Sequence, residues 1–163
     1  MMMHVYNNIL VPYDGSRPSH LAVQHAFNLT KMNALPTTTK KLYLLYVIQE
    51  ILVPPQLYSY PLHELDKLTE NYIKELYQVL ETKAMNMLKA KTLEYKEAGE
   101  IDISTHVLLG DPANKIIEFA DGQKIDLIII GSVGLRGINK IKTLGSVSRR
   151  VSEMASCPVL IVH

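Results

Sequence analysis

Ile128-Ile129-Ile130-Gly131-Ser132-Val133-Gly134 and, ten residues further on, Gly145-Ser146-Val147-Ser148 decide how this chain reads. The isoleucine run is apolar and β-branched, as a strand covered on both faces requires. It enters a glycine turn, passes through a basic loop and reaches a helix that opens on Gly-Ser. That layout presents bare backbone amides and hydroxyls to an anion, most simply to the phosphates of a nucleotide.

The pattern extends in both directions. Toward the carboxyl end, the helix from about Gly145 to Ala155 has Val147, Val151, Met154 and Ala155 on one face, and Pro158 to Val162 is an apolar fifth strand. Toward the amino end, Asp126 to Ile130 is preceded by a helix with Asp111 as its N-cap, Pro112 at its first position and Ile116, Ile117 and Ala120 inward. Before it, Ile101 to Leu109 alternates and reads as a strand. A long amphipathic helix over 63–98 carries Leu65, Leu68, Tyr72, Leu76, Val79, Leu80 and Met87 as its apolar stripe, with Gly99 as its cap. The proline-rich connection from Gln49 to Leu62 is long for a compact domain, and its length suits a flap over a pocket. Leu42 to Ile48 is a second strand. The helix from about Pro18 places Leu21, Ala22, His25, Ala26 and Leu29 together, which predicts a packed His25. Asn8 to Pro12 is the first strand, broken by Tyr13-Asp14-Gly15-Ser16.

Five strands alternating with four helices predict one α/β domain over 1–163, an open parallel sheet with helices on both faces. Ligands of such sheets bind beyond the carboxyl ends of the strands, where strand order reverses. Asp14 and Gly131 each follow a strand and belong on that rim.

Composition narrows the function classes. The 163 residues are 47% hydrophobic and 20% charged, with net charge +1, so no strong field draws the chain toward nucleic acid or membrane. Phe is scarce and Trp absent, which disfavours a stacking platform for single strands. The start lacks the pattern of a signal peptide, and no segment has the ~20 apolar residues of a membrane span. The single Cys157 suits a reducing cytoplasm and reads as a small core residue. Six scattered histidines without a cysteine cluster give no metal-ligand spacing. The P-loop pattern, the Gly-x-Gly-x-x-Gly fingerprint after the first strand, the Ser-Gly-Gly-x-Asp-Ser signature and the Gly-x-Ser-x-Gly elbow are all missing. The residues assemble no general base aimed at a phosphate, so the reading is a binding module with slow ATP hydrolysis at most.

With these landmarks in order, the chain resembles the universal stress protein family in its nucleotide-binding branch. Ile9 to Ser16 is similar to the family's opening strand and acidic turn, and Gly110-Asp111-Pro112-Ala113 to its turn into the third helix. Asp126 through Ser148, and on to Cys157 through Val162, completes the match. The resemblance spans the domain and is weakest over Gln49 to Tyr95. It implies a Rossmann-like sheet of the adenine nucleotide alpha hydrolase type with strand order 3-2-1-4-5. It also implies ATP as ligand, Mg²⁺ held mainly by the phosphates, a cytoplasmic role in stress response, and a homodimer through the edge strand 158–162.

The same resemblance assigns the site residues. Pro12 and Tyr13 shape the pocket beside Asp14, which would accept from a ribose hydroxyl or the adenine edge; Asp-Gly-Ser is equally a turn-forming sequence. Val47 would contact adenine through its main chain. Gly131 and Gly134 would let the backbone approach the phosphates, with Val133 between them, where relatives often carry a polar or basic residue. Gly145, Ser146, Val147 and Ser148 would supply amides and hydroxyls, the alternative being ordinary serine capping. Arg136, with Lys140 and Lys142, would screen phosphate charge or form a solvated loop. ATP-binding members place nine residues between the second glycine and Gly-Ser or Gly-Thr. Here there are ten. That extra residue supports a second reading, a dimeric interaction module that binds no nucleotide.

Overall fold

The computed structural model describes residues 6–32, 40–50, 63–96, 101–134 and 144–163. The expectations for the 51–62 flap, for Gly99 and for Arg136, Lys140 and Lys142 lie outside these residues.

The elements follow in the order β1 (Asn8–Pro12), α1 (Arg17–Met32), β2 (Lys41–Ile48), α2 (His63–Lys96), β3 (Asp102–Leu109), α3 (Pro112–Gly122), β4 (Leu127–Gly131), α4 (Ser146–Met154) and β5 (Val159–Val162). The strands pair in parallel in the order β3-β2-β1-β4-β5, as expected. Strand order therefore reverses between β1 and β4.

Period-two alternation divides each central strand between two cores. Ile9, Val11, Leu42, Leu44, Leu127 and Ile129 face α1 and α2, where Ala22, Val23, Ala26 and Leu88 cover them. Leu10, Tyr43, Leu45, Ile128 and Ile130 face α3 and α4, against Ala113, Ile116, Ala120 and Val151. At the amino ends of the strands, the Asp126 carboxylate accepts from the amides of Asn7 and Asn8 and ties β1 to the entry of β4.

Three expectations about helix faces need correction. His25 is exposed, because the buried arc of α1 centres on Ala22, Val23 and Ala26. On α2, Tyr72 and Val79 are 67% and 50% exposed, while Ala84 and Leu88 are buried. On α4, Met154 points outward and Val151 is fully buried. In each case the apolar arc was wide enough to admit a rotation of the helix, and sheet contact chose one. Cys157 is half-buried and packs against the α3/α4 core rather than within it, and burial together with Asp121 and Asp126 raises its thiol pKa. Among the described residues, no helix is long and apolar enough to cross a membrane.

Candidate functional site

Parallel strands followed by helices direct every helix start to the same rim, the one at the carboxyl ends of the strands. At that rim lies a cavity of about 670 Å³. Pro12, Tyr13 and Asp14 border it after β1, and Tyr46, Val47, Ile48 and Gln49 at the end of β2. Pro112 and Ile116 come from α3, and Leu80 from α2. Opposite lie Ile130, Gly131, Val133 and Gly134 from the end of β4, with Gly145, Ser146, Val147 and Ser148 at the start of α4. Every expected site residue except Arg136 thus meets in one place, and Arg136 lies outside the described residues.

Strand lengths explain why Val47 is available. The Tyr13 amide donates to the Leu45 carbonyl at 2.8 Å, which is the last β1–β2 bond, and the Gly110 amide donates to the Ile48 carbonyl on the opposite side. Residues of a parallel strand alternate the side to which their main chain points. Val47 therefore directs its N–H and C=O toward β1, which has already ended at Pro12. The main-chain edge of Val47 borders the crevice.

Asp14 forms the turn that Asp-Gly-Ser predicts, and it also borders the cavity. Its Oδ1 accepts from the Ser16 amide at 2.9 Å, so it builds the turn. Its Oδ2 lies 2.7 Å from where a Cβ on Gly134 would be. The acidic turn after β1 and the glycine turn after β4 therefore close on each other, and Gly134 is bare because Asp14 takes the space. Gly15, at φ +80°, makes this turn possible, with the Met87 sulfur packed close against it.

Gly131 has a different cause from the one expected. A Cβ there would meet Pro18 and the Ser19 amide at 2.8–2.9 Å. Its missing side chain admits the first turn of α1 against β4, although the residue still borders the cavity.

The described helix starts at the rim are closed in different ways. Ser16 caps α1, accepting from the Ser19 amide at 3.3 Å while Ser19 Oγ–H donates to the Ser16 carbonyl at 2.9 Å. Asp111 caps α3 through the Asn114 amide at 3.0 Å. At α4 the cap is Gly145, with no side-chain bond. Among the described residues no side chain caps the amides of its first turn, and the positive end of the helix dipole lies behind them.

Ser148 departs from both expected roles. It is 2% exposed, and its hydroxyl donates to the Ser132 carbonyl at 2.7 Å, with the Gly145 carbonyl 3.0 Å away. Its proton holds the loop to the helix; it neither caps nor faces the cavity as a free donor. The Ser132 carbonyl also accepts from the Gly145 amide, and the Ser132 amide donates to Val162 of β5, both at 2.7 Å. Tyr13 is likewise more structural than expected. Its ring is 3% exposed in the α1/α2 core and its hydroxyl bonds His20. Burial, with Glu94, Asp14 and Tyr95 nearby, pushes its pKa up to about 12.

Besides neighbours of Val47 and Gly131 on their own strands, sequence reasoning missed Ser16, Ser19, Leu80, Pro112 and Ile116. The last two were within reach, since they follow the end of β3 just as Asp14 follows β1. Among the described residues no group of three His, Cys, Asp or Glu could hold a metal ion.

Comparison with known proteins agrees with the architecture. Residues 5–163 match the model of the universal stress protein family. The universal stress protein MJ0531 of Methanocaldococcus jannaschii is 35% identical over 98% of this chain and 83% of its own length. The solved structure of MJ0577 from the same organism superposes with a TM-score of 0.77 at 26% identity, covering 98% of this chain and 96% of that one. A universal stress protein solved in complex with cAMP superposes with a TM-score of 0.61 at 26% identity, covering 98% of each chain.

Proposed function

This chain belongs to the universal stress protein family, and from that premise we propose that it is an ATP-binding module whose bound nucleotide sets a conformation read by a partner in the stress response. The observation that carries the reading is the open start of α4, where Gly145 leaves the first-turn amides without a side-chain cap beside a 670 Å³ cavity.

The parts of an adenine nucleotide find matching groups around that cavity. Val47 would offer a main-chain donor and acceptor to the base, with Pro12, Pro112 and Ile116 among the apolar residues that line the same cavity. Asp14 would accept from ribose hydroxyls. The phosphates would meet the amides of Ser146 and Val147, with Gly134 giving close approach. Mg²⁺ would be held by phosphate oxygens and water. A relative solved with cAMP supports an adenine nucleotide as the ligand class. Among the described lining residues Asp14 is the only carboxylate, and it is engaged in the turn, which favours a binding module over an efficient hydrolase.

We place this module in the cytoplasm as a homodimer. Strand β5 ends the sheet with Leu160 40% exposed, an edge that a second copy can pair by two-fold symmetry.

The test is direct. Freshly purified protein is denatured, and released nucleotide is identified by chromatography and mass spectrometry; emptied protein is then titrated with Mg-ATP. Near-stoichiometric ATP, or saturable binding, is expected. An empty protein that ignores Mg-ATP overturns the reading in favour of a dimeric interaction module, consistent with the ten-residue loop between Gly134 and Gly145.

A further inference from the structure

Helix α4 is short and lightly anchored. Of its nine residues, only Ser148 and Val151 are buried. Its start is nevertheless the part of the cavity that must be placed most accurately, because the attraction between an anion and a helix start fades within the first turn. A side chain outside the cavity supplies the missing constraint. Arg150 Nη1 donates to Asp111 Oδ1 at 3.2 Å, and its Nη2 donates to Asn114 Oδ1 at 2.8 Å. The same Asp111 oxygen accepts from the Asn114 amide as the cap of α3. One guanidinium thus ties the second turn of α4 to the capped start of α3. These two helices form adjoining walls of the cavity, through Val147 and Ser148 on one side and Pro112 and Ile116 on the other.

We propose that Arg150 is a positioning residue for phosphate binding: its fork fixes the start of α4 against α3 and so aims the open amides of Ser146 and Val147. The inference rests on the nucleotide reading above. A planar fork suits this task because two donors in fixed geometry set an angle as well as a distance. The side chains of Arg150 and Asp111 are 41% and 46% exposed, so the pair adds little to folding stability. Its effect falls on helix placement. The neighbouring Arg149 pairs within its own helix with Glu153 at 3.9 Å and serves as the control.

The experiment measures affinity for Mg-ATP and for adenosine by calorimetry, together with the melting temperature of the ligand-free protein. Arg150→Ala is expected to weaken ATP about two- to fivefold, leaving adenosine affinity and melting unchanged. Asn114→Ala, which removes one acceptor without altering charge, is expected to weaken ATP in the same direction. Arg150→Lys falls between Arg150→Ala and the parent, and Arg149→Ala matches the parent. If Arg150→Lys and Asn114→Ala both bind ATP as the parent does, Arg150 acts through its charge alone and the positioning role is overturned. Equal loss of ATP and adenosine affinity in Arg150→Ala also overturns it. A parent that binds neither ligand removes the nucleotide reading and this inference together, whereas a parent that binds ATP with all variants unaffected removes this inference alone.

Discussion

Replacing Gly131 with alanine separates the two glycines of the turn by cause. The added methyl would lie 2.8 Å from Pro18 Cβ, 2.9 Å from the Pro18 carbonyl carbon and 2.9 Å from the Ser19 amide nitrogen. Unstrained carbon contacts lie at about 3.5–4.0 Å, so the neighbours must retreat by more than half an ångström, roughly. Two of the three atoms are backbone in the first turn of α1, which Ser16 and Ser19 hold by reciprocal bonds. No side-chain rotation relieves the clash. Overpacking of this kind costs about 1–3 kcal/mol, and in a chain of this size each kcal/mol lowers the melting temperature by about 2–4 °C. Gly131→Ala is expected to melt about 2–12 °C below the parent. Among the described residues, alanine at Gly134 meets Asp14 Oδ2 at 2.7 Å, the far end of a flexible side chain that can swing away at the cost of bonds that include the one from the Ser16 amide. That variant is expected to melt closer to the parent than Gly131→Ala does and to lose affinity for Mg-ATP, because the displaced carboxylate would no longer meet the ribose of the proposed nucleotide. Thermal and urea unfolding of ligand-free protein, with calorimetry on both variants, checks the pair. The reasoning is refuted if Gly131→Ala melts with the parent, or if Gly134→Ala is the less stable of the two.

Three further outcomes follow from the geometry. Ser148→Ala removes a buried donor to the Ser132 carbonyl and is expected to cost about 1 kcal/mol in urea unfolding, with weaker ATP binding; unchanged stability would show that the bond does not hold the loop. The fold favours neutral Tyr13, whose pKa rises from 10.0 to about 12. Its contribution to stability is complete below pH 10 and lost as pH climbs toward 12, so Tyr13→Phe is expected to flatten the alkaline fall in stability; parallel curves for the two proteins would contradict this. Leu160→Lys puts a charge on the outward face of edge strand β5 and is expected to halve the mass seen by light scattering; a persistent dimer would place the interface elsewhere.

The sheet was legible in the sequence because β-branched runs and turn residues act locally. Asn8–Pro12 ends where Asp14 and Gly15 break the strand, and Asp111-Pro112 announces α3 by cap chemistry alone. The rim position of Asp14, Gly131 and Gly145 followed from alternating strands and helices, since that alternation sends every βα turn to the same side of the sheet.

What the residues themselves determined was element order, the parallel sheet and the list of turns that border the crevice, all of which depend on short-range pattern. Only the tertiary structure decided what each residue does there. Gly131 is bare for the sake of Pro18, Ser148 spends its proton on Ser132, and Tyr13 turns its ring into the core. Those outcomes depend on contacts between segments far apart in the chain, and on which way each helix is turned toward the sheet. A wide apolar arc does not select such a rotation until the sheet is beneath it.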